Sequence, residues 1–155
     1  MIESDHSRTP PRLAVVISHF NSEVTSGLIA GTRAELAERG VPLADSAVYD
    51  APGAFEIPLI AQSLAESGRY DGVVCLGCVI KGDTAHFEFI SLGATIGLMN
   101  ATLKTGVPVT IGILTTYDDA QAAARSRDDG HNKGREAAAA CLQALTTLAR
   151  VRAGA

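Results

Sequence analysis

The chain contains no tryptophan, and aromatic residues of all kinds make up 5% of its 155 positions. That scarcity leaves no row of rings on which bases could stack, and a formal charge of −4 leaves no broad cationic surface for a polyanion. Nucleic acid is therefore excluded as the main partner. Single phosphate groups are not, because a few cations and backbone N–H groups can hold them locally. Also missing is any apolar run near the roughly 18 residues that span a bilayer, and the opening MIESDHSRTPP lacks the basic and apolar regions of a signal peptide. A soluble cytoplasmic protein with no membrane partner is expected. Cysteine is sparse and odd in number (Cys75, Cys78, Cys141), which fits reduced thiols better than a disulfide framework.

What is present is aliphatic. Hydrophobic residues make up 46% of the chain, enough for a full core in one domain of this length. Residues 1–11 read as a flexible polar tail and residues 12–155 as a single domain. Residues 12–18 (RLAVVIS) form a continuous apolar run of strand length, the mark of a strand buried on both faces. Asn21 or Ser22 can cap the helix that follows, whose Val24, Leu28, Ile29 and Leu36 recur at helical spacing until Gly40. A short strand over 46–49 meets the turn Ala51-Pro52-Gly53, and a helix over 55–66 carries Pro58 near its first turn, where proline is tolerated. Residues 72–80 read as the third strand, 89–104 as the third helix and 107–114 as the fourth strand. Asp118 or Asp119 can cap a short helix through Arg125, and a last helix runs from about 133 to 152. Strands alternating with helices over short connections predict a four-stranded parallel sheet with helices on both faces.

The richest chemistry lies at 72–89, where the strand GVVCLGCVI runs into KGDTAHFEF. Open α/β sheets bind ligands at the carboxyl ends of their strands, and this end supplies a lysine, a glycine turn, an aspartate, a threonine and His86 within a few residues. An imidazole is suited to proton transfer near neutrality. From spacing alone, catalysis by His86 and an ordinary loop histidine are equally open. His6 and His131 read as solvated, and His19 as either near the site or merely exposed. Phe20 and Asn21 follow the first strand, Gly53 to Glu56 the second, Thr115 and Thr116 the fourth. Glu56 is either a surface carboxylate or a partner for a ligand hydroxyl. Arg125, at the end of a short helix, is more often favoured there by the helix dipole than used as a site residue, and spacing leaves both readings open.

Cys75 and Cys78 form a C-x-x-C, which taken alone suggests a dithiol or half a zinc site. Inside an apolar strand, residues three apart point to opposite faces, and neither a second such pair nor paired histidines complete a zinc site. Core packing is the better reading, and no metal is expected.

Five segments together, HFN at 19–21, PGAFEIP at 52–58, VIKGDTAHFE at 79–88, ILTT at 113–116 and NKG at 132–134, closely resemble the lumazine synthase family of riboflavin biosynthesis over residues 12 to about 148. The resemblance implies a flavodoxin-like three-layer α/β/α sandwich. It implies a condensation of 5-amino-6-(D-ribitylamino)uracil with 3,4-dihydroxy-2-butanone 4-phosphate to 6,7-dimethyl-8-ribityllumazine, without metal or redox cofactor. It further implies active sites between neighbouring subunits of a homopentamer, alone or in a larger assembly, and riboflavin synthase as a further partner. Carried over by residue, Phe20 and Asn21 meet the pyrimidine, Ala54, Phe55 and Glu56 the ribityl chain, and Cys78, Val79 and Ile80 the uracil edge. Asp83 and Thr84 meet the phosphate, with Arg125 and Ile111 contributed by the adjacent subunit, and His86 matches the proton-transfer histidine. Ile111 stands where some members have an aromatic residue, which implies weaker stacking. The acidic segment 127–131 (RDDGH) is unusual beside a phosphate. Pro10 and Pro11 disfavour ladder bonds from the tail to an adjacent sheet, which favours assemblies smaller than a closed shell. Three other readings compete: a non-catalytic lumazine- or flavin-binding module on the same fold, a receiver domain, and a redox enzyme built on Cys75 and Cys78. The receiver reading lacks acidic residues after the first strand.

Overall fold

A computed structural model describes residues 9–154; most of the expected tail lies outside them. The elements follow in the order Leu13–Ser18 (β1), Ser22–Glu38 (α1), Val48–Ala51 (β2), Ile57–Glu66 (α2), Gly72–Ile80 (β3), His86–Thr105 (α3), Val109–Thr116 (β4), Asp119–Ser126 (α4) and Lys133–Arg152 (α5), with 3₁₀ turns over Asp45–Ala47 and Ala54–Glu56. The four strands pair in parallel in the order β2-β1-β3-β4.

Alternation along β3 divides the interior into two cores. Val73 and Cys75 pack with Ile57, Ala61 and Leu64 of α2 and Ala94, Leu98 and Ala101 of α3. Val74, Leu76 and Cys78 pack with Leu28 and Leu36 of α1, Ala122 of α4 and Ala137, Ala138 and Cys141 of α5. Successive side chains of a strand point to opposite faces, so a nine-residue strand buried on both sides feeds both cores. Each fully buried Leu or Val removes apolar area worth about 1.5–3 kcal/mol. The result is the three-layer α/β/α sandwich of flavodoxin-like type.

Several boundaries move by a few residues, each for a local reason. The second strand starts at Val48 because 45–47 close a 3₁₀ turn. The fourth runs on to Thr116, paired with Ile80. The third helix begins at His86 rather than 89, so the histidine occupies the first helical turn instead of the loop before it. Asp118 is the residue that caps α4, accepting from the Gln121 N–H at 2.8 Å. Neither Asn21 nor Ser22 caps α1 through its side chain: Asn21 sits at the cap with φ 57°, and its amide is used elsewhere.

Chain direction across the sheet reverses between β1 and β3. The path leaves β1 towards β2 on one side and β3 towards β4 on the other, which opens a crevice at the carboxyl ends of β1 and β3.

Candidate active site

That crevice is a cleft of about 520 Å³ lined by Phe20, Asn21, Gly53, Ala54, Phe55, Glu56, Cys78, Val79, Ile80, His86 and Ile90. Three strand ends build it. Beyond β1 the chain turns sharply at Asn21, the one non-glycine residue among those described with positive φ. Asparagine tolerates this left-handed conformation better than most residues, and such outliers cluster where function constrains the backbone. The Asn21 Nδ2 donates to the Cys78 carbonyl at 3.1 Å, tying the β1 turn to the last residues of β3. Phe20 is thereby held over Gly53, where a Cβ would stand 3.1 Å from the ring.

Beyond β2, the Gly53 N–H donates to Glu56 Oε2 at 3.1 Å and closes the turn that presents Ala54 and Phe55. Phe20 and Phe55 keep about two-thirds of their surface exposed, an unusual fate for aromatic rings and one that suits a flat ligand. Beyond β3, the Lys81 N–H donates to the Thr116 carbonyl at 2.9 Å, and the His86 N–H donates to Thr84 Oγ1 at 3.3 Å. The cap residue of α3, Ala85, makes no side-chain cap and Thr84 takes only the His86 N–H, so the positive end of a twenty-residue helix lies at the loop that carries Asp83 and Thr84. Lys81 reaches across towards Glu88 at 3.5 Å and lies 5.6 Å from the centre of the Tyr117 ring.

Nine of the expected site residues thus share one cleft, His86 among them. Asp83 and Thr84 are not among the lining residues; they precede His86 in the chain, and Thr84 accepts from its N–H. Ile111 and Arg125 do not line the cleft either. Ile111 is half-exposed in the middle of the edge strand β4, in register with Cys75. Arg125 donates to the Gln121 carbonyl of its own helix at 3.0 Å and lines a separate groove of about 430 Å³ with Arg127, His131, Lys133 and the carboxylates Asp129 and Glu136. In that segment Asp129 accepts from the His131 N–H at 2.8 Å, which turns its carboxylate onto the loop's own backbone. Gly53, a strand-end candidate, joins the lining, whereas sequence reasoning missed Ile90. Ile90 stands four residues after His86 and so shares its helix face, a relation that a helix starting at 89 does not show.

The thiols are far from reactive. Burial pushes Cys75 far above the ordinary thiol range, raises Cys141 to about 12, and raises Cys78 to about 11 with help from Asp119. The thiolate is the nucleophile, and Cys75 and Cys78 face opposite cores. A dithiol function is not supported.

Sheet order and strand-end cleft define a flavodoxin-like α/β protein with a candidate ligand site at its topological switch point. The 6,7-dimethyl-8-ribityllumazine synthase family description matches residues 10–149. The 6,7-dimethyl-8-ribityllumazine synthase 1 of Caulobacter vibrioides is 64% identical over 143 residues, covering 92% of this chain and 94% of that protein. The 6,7-dimethyl-8-ribityllumazine synthases of Deinococcus deserti and Salinibacter ruber are 41% and 44% identical, covering 97% and 90% of this chain and 96% and 90% of theirs. The chain belongs to the 6,7-dimethyl-8-ribityllumazine synthase family and is a transferase of riboflavin biosynthesis.

Proposed function

We propose that the condensation of 5-amino-6-(D-ribitylamino)uracil with 3,4-dihydroxy-2-butanone 4-phosphate takes place in the cleft at the ends of β1, β2 and β3, with His86 as its proton-transfer group. The observation that carries this reading is the gathering of His86, Phe20, Glu56 and the end of β3 around one space of ligand size. Phe20 stacks on the pyrimidine, with Asn21 setting the turn that holds it. Ala54, Phe55 and Glu56 take the ribityl chain, and backbone groups of Cys78, Val79 and Ile80 take the uracil edge. Asp83 and Thr84, at the uncapped start of α3, meet the phosphate. The uracil's amine attacks the ketone and forms an imine with loss of water, phosphate departs, and the ribitylamino nitrogen closes the ring with loss of a second water. Each step is proton transfer, orientation or departure of an anion, so a positioned imidazole and an anion-binding helix end suffice.

The working unit in this reading is a cyclic homopentamer, alone or in a larger assembly, in which Ile111 and Arg125 complete the cleft of the next subunit. Two features support it. Ile111 and Arg125 lie apart from the cleft of their own chain. On α3, Phe89, Leu92, Ile96, Met99 and Leu103 follow the alternating three- and four-residue spacing of a coiled-coil seam, yet each keeps half or more of its surface exposed. Because Ala94, Leu98 and Ala101 of the same helix are buried in the chain's own core, α3 is apolar on both sides, a pattern that belongs to a fully covered helix. A patch meeting a different patch on the next copy closes into a ring.

A cytoplasmic setting, and riboflavin synthase as the partner that uses the product, complete the proposal; no helix among the described residues is long and apolar enough to cross a membrane. The binding-module alternative is disfavoured, since the relatives are named as synthases and a pure binder of a phosphate-free ring needs neither His86 nor Arg125. The test is to mix both substrates with the purified protein and follow the fluorescent lumazine together with released phosphate. Fluorescent product and phosphate in equal amounts support the reading; their absence from folded, assembled protein overturns it.

A further inference from the structure

Arg125 stands near the end of α4, a helix of eight residues, and something other than that helix must fix where its end lies. The segment from Ser126 to Gly134 crosses α1 at Gly27 and Gly31, four residues apart and so on one helix face. At both crossings there is no room for a side chain. A Cβ on Gly27 would run into the Ser126 carbonyl oxygen, and one on Gly31 into the Asn132 carboxamide.

Asn132 fills this junction and is 1% exposed. Its Oδ1 accepts from the Gly134 and Arg135 N–H groups at 2.9 and 3.2 Å, capping α5. Its Nδ2 donates to the Gly27 carbonyl of α1 at 3.0 Å and to the Arg127 carbonyl at 2.8 Å. Both amide hydrogens and the amide oxygen are therefore used. Capping needs only the oxygen, and Ser or Asp would supply one. The two donated bonds need an amide, and they join α1 to the backbone two residues beyond Arg125. One side chain thus holds α1, the end of α4 and the start of α5 in fixed relation beside a groove lined by Arg125, Arg127, His131 and Lys133 together with Asp129 and Glu136. Glu136 pairs with Lys133 at 2.6 Å and Asp129 accepts from the His131 N–H, which leaves Arg125 and Arg127 as the groove's cations without a carboxylate partner among the described residues.

We propose that Asn132 is a positioning residue for anion binding in this groove, acting through the end of α4 on Arg125. The inference rests on the reading of Arg125 as a phosphate ligand.

The experiment measures steady-state kinetics on assembled protein, with inorganic phosphate as a competitive probe. Asn132→Ser keeps a capping oxygen but cannot reach the two carbonyls, and Asn132→Asp keeps the shape while turning an acceptor towards them. Both should raise KM for the phosphate-bearing substrate and Ki for inorganic phosphate about tenfold, the scale of a lost buried hydrogen bond. The turnover number and KM for the ribitylaminouracil should stay within about twofold. Should one variant fail to fold, the other decides. In an Arg125→Ala background, Asn132→Ser should add nothing further.

An equal rise in both KM values, a fall in turnover alone, or full additivity with Arg125→Ala would overturn the positioning role. The two readings can fail separately. If Arg125→Ala weakens phosphate binding and Asn132→Ser does not, positioning falls while the Arg125 assignment stands. If Asn132→Ser weakens inorganic phosphate and Arg125→Ala does not, Asn132 does not act through Arg125, and the positioning role falls together with the Arg125 assignment. If neither changes it, both fall.

Discussion

The helices α3 and α5 have the same length, twenty residues, and opposite designs. At its start α5 is closed off, its first N–H groups taken by Asn132. Along its length it buries Ala137, Ala138 and Cys141 and turns polar residues such as Glu136, Gln143 and Arg150 outwards. Arg135 adds ion pairs to Glu35 and Glu38 of α1 at 3.3 and 3.1 Å. This helix is finished within one chain. By contrast, α3 has no side-chain cap at its start, where His86 faces the cleft, and leaves five large apolar residues outside. A helix end without a cap leaves N–H groups for a ligand, and a bare apolar stripe leaves a face for a partner. The contrast teaches where the protein is complete and where it depends on something else.

The strongest way to break the contrast is a charge on the open stripe. Leu92→Glu should disassemble the protein and abolish most activity, because a carboxylate sealed into an apolar seam costs several kcal/mol. Ala149→Glu, on the outward side of α5, should leave the mass unchanged. Sedimentation of both variants decides, and an intact assembly for Leu92→Glu would show that the stripe is not the seam.

At the uncapped end, His86→Ala should lower turnover by about 10²-fold, the lower part of the range for a general acid or base, while the protein stays assembled. Substrate positioning and the uncatalysed reaction leave the remainder. Turnover at saturating substrates, unchanged from the parent, would remove His86 from the chemistry.

The effect of Arg125→Ala should fall on one substrate. A charge-assisted bond contributes about 1.5–3 kcal/mol, so KM for the phosphate-bearing substrate should rise roughly ten- to a hundredfold while that for the ribitylaminouracil hardly moves. Arg125→Lys should recover part of this, lacking the planar fork. Mixed rings of His86→Ala and Arg125→Ala subunits should regain activity, because some interfaces then carry both intact residues. No recovery after proven subunit exchange would place each site within one chain.

Smaller still, replacing Cys75 and Cys78 together by alanine should keep activity within a few-fold and cost about 1–3 kcal/mol of stability per site. Activity assays beside urea unfolding separate the two, and a folded, assembled but dead variant would revive the thiol reading.

The smallest effect lies at the opposite end of the sheet from both helix starts. The Arg12 guanidinium, by side-chain hydrogen bonding, holds the Asp71 carboxyl below the ordinary carboxylate range, and Asp71 also accepts from the Arg12 N–H at 2.7 Å. A depressed folded value means the stabilisation is complete above the unfolded value, about 3.9, and is lost as pH falls through the lower folded one. Asp71→Asn should therefore lower the urea midpoint slightly at pH 7 and match the parent in strong acid. A difference that persists there would assign the effect to packing instead.

The order of elements was legible because three of the four strands are apolar runs and α1, α2 and α3 carry their own stops at Gly40, Gly68 and Gly106, all with φ near +70°. The cleft was legible for a related reason: parallel strands all end on one side, so Phe20, Glu56 and His86 had to meet once the strands were placed. Local sequence did not reveal how Asn21 would be used. Its periodicity suits a cap, yet the left-handed turn and the bond to Cys78, fifty-seven residues away, depend on β1 lying beside β3.

By itself, then, the sequence determined the alternating strands and helices, the two-sided burial of β3, the inert packing of its cysteines and the set of groups at the strand ends, since all of these follow from periodicity and residue chemistry along the chain. Only the tertiary structure decided the strand order, the outward turn of the α3 stripe and the Asn132 junction. Those depend on which surfaces meet across long stretches of chain, and that is settled by packing rather than by local propensity.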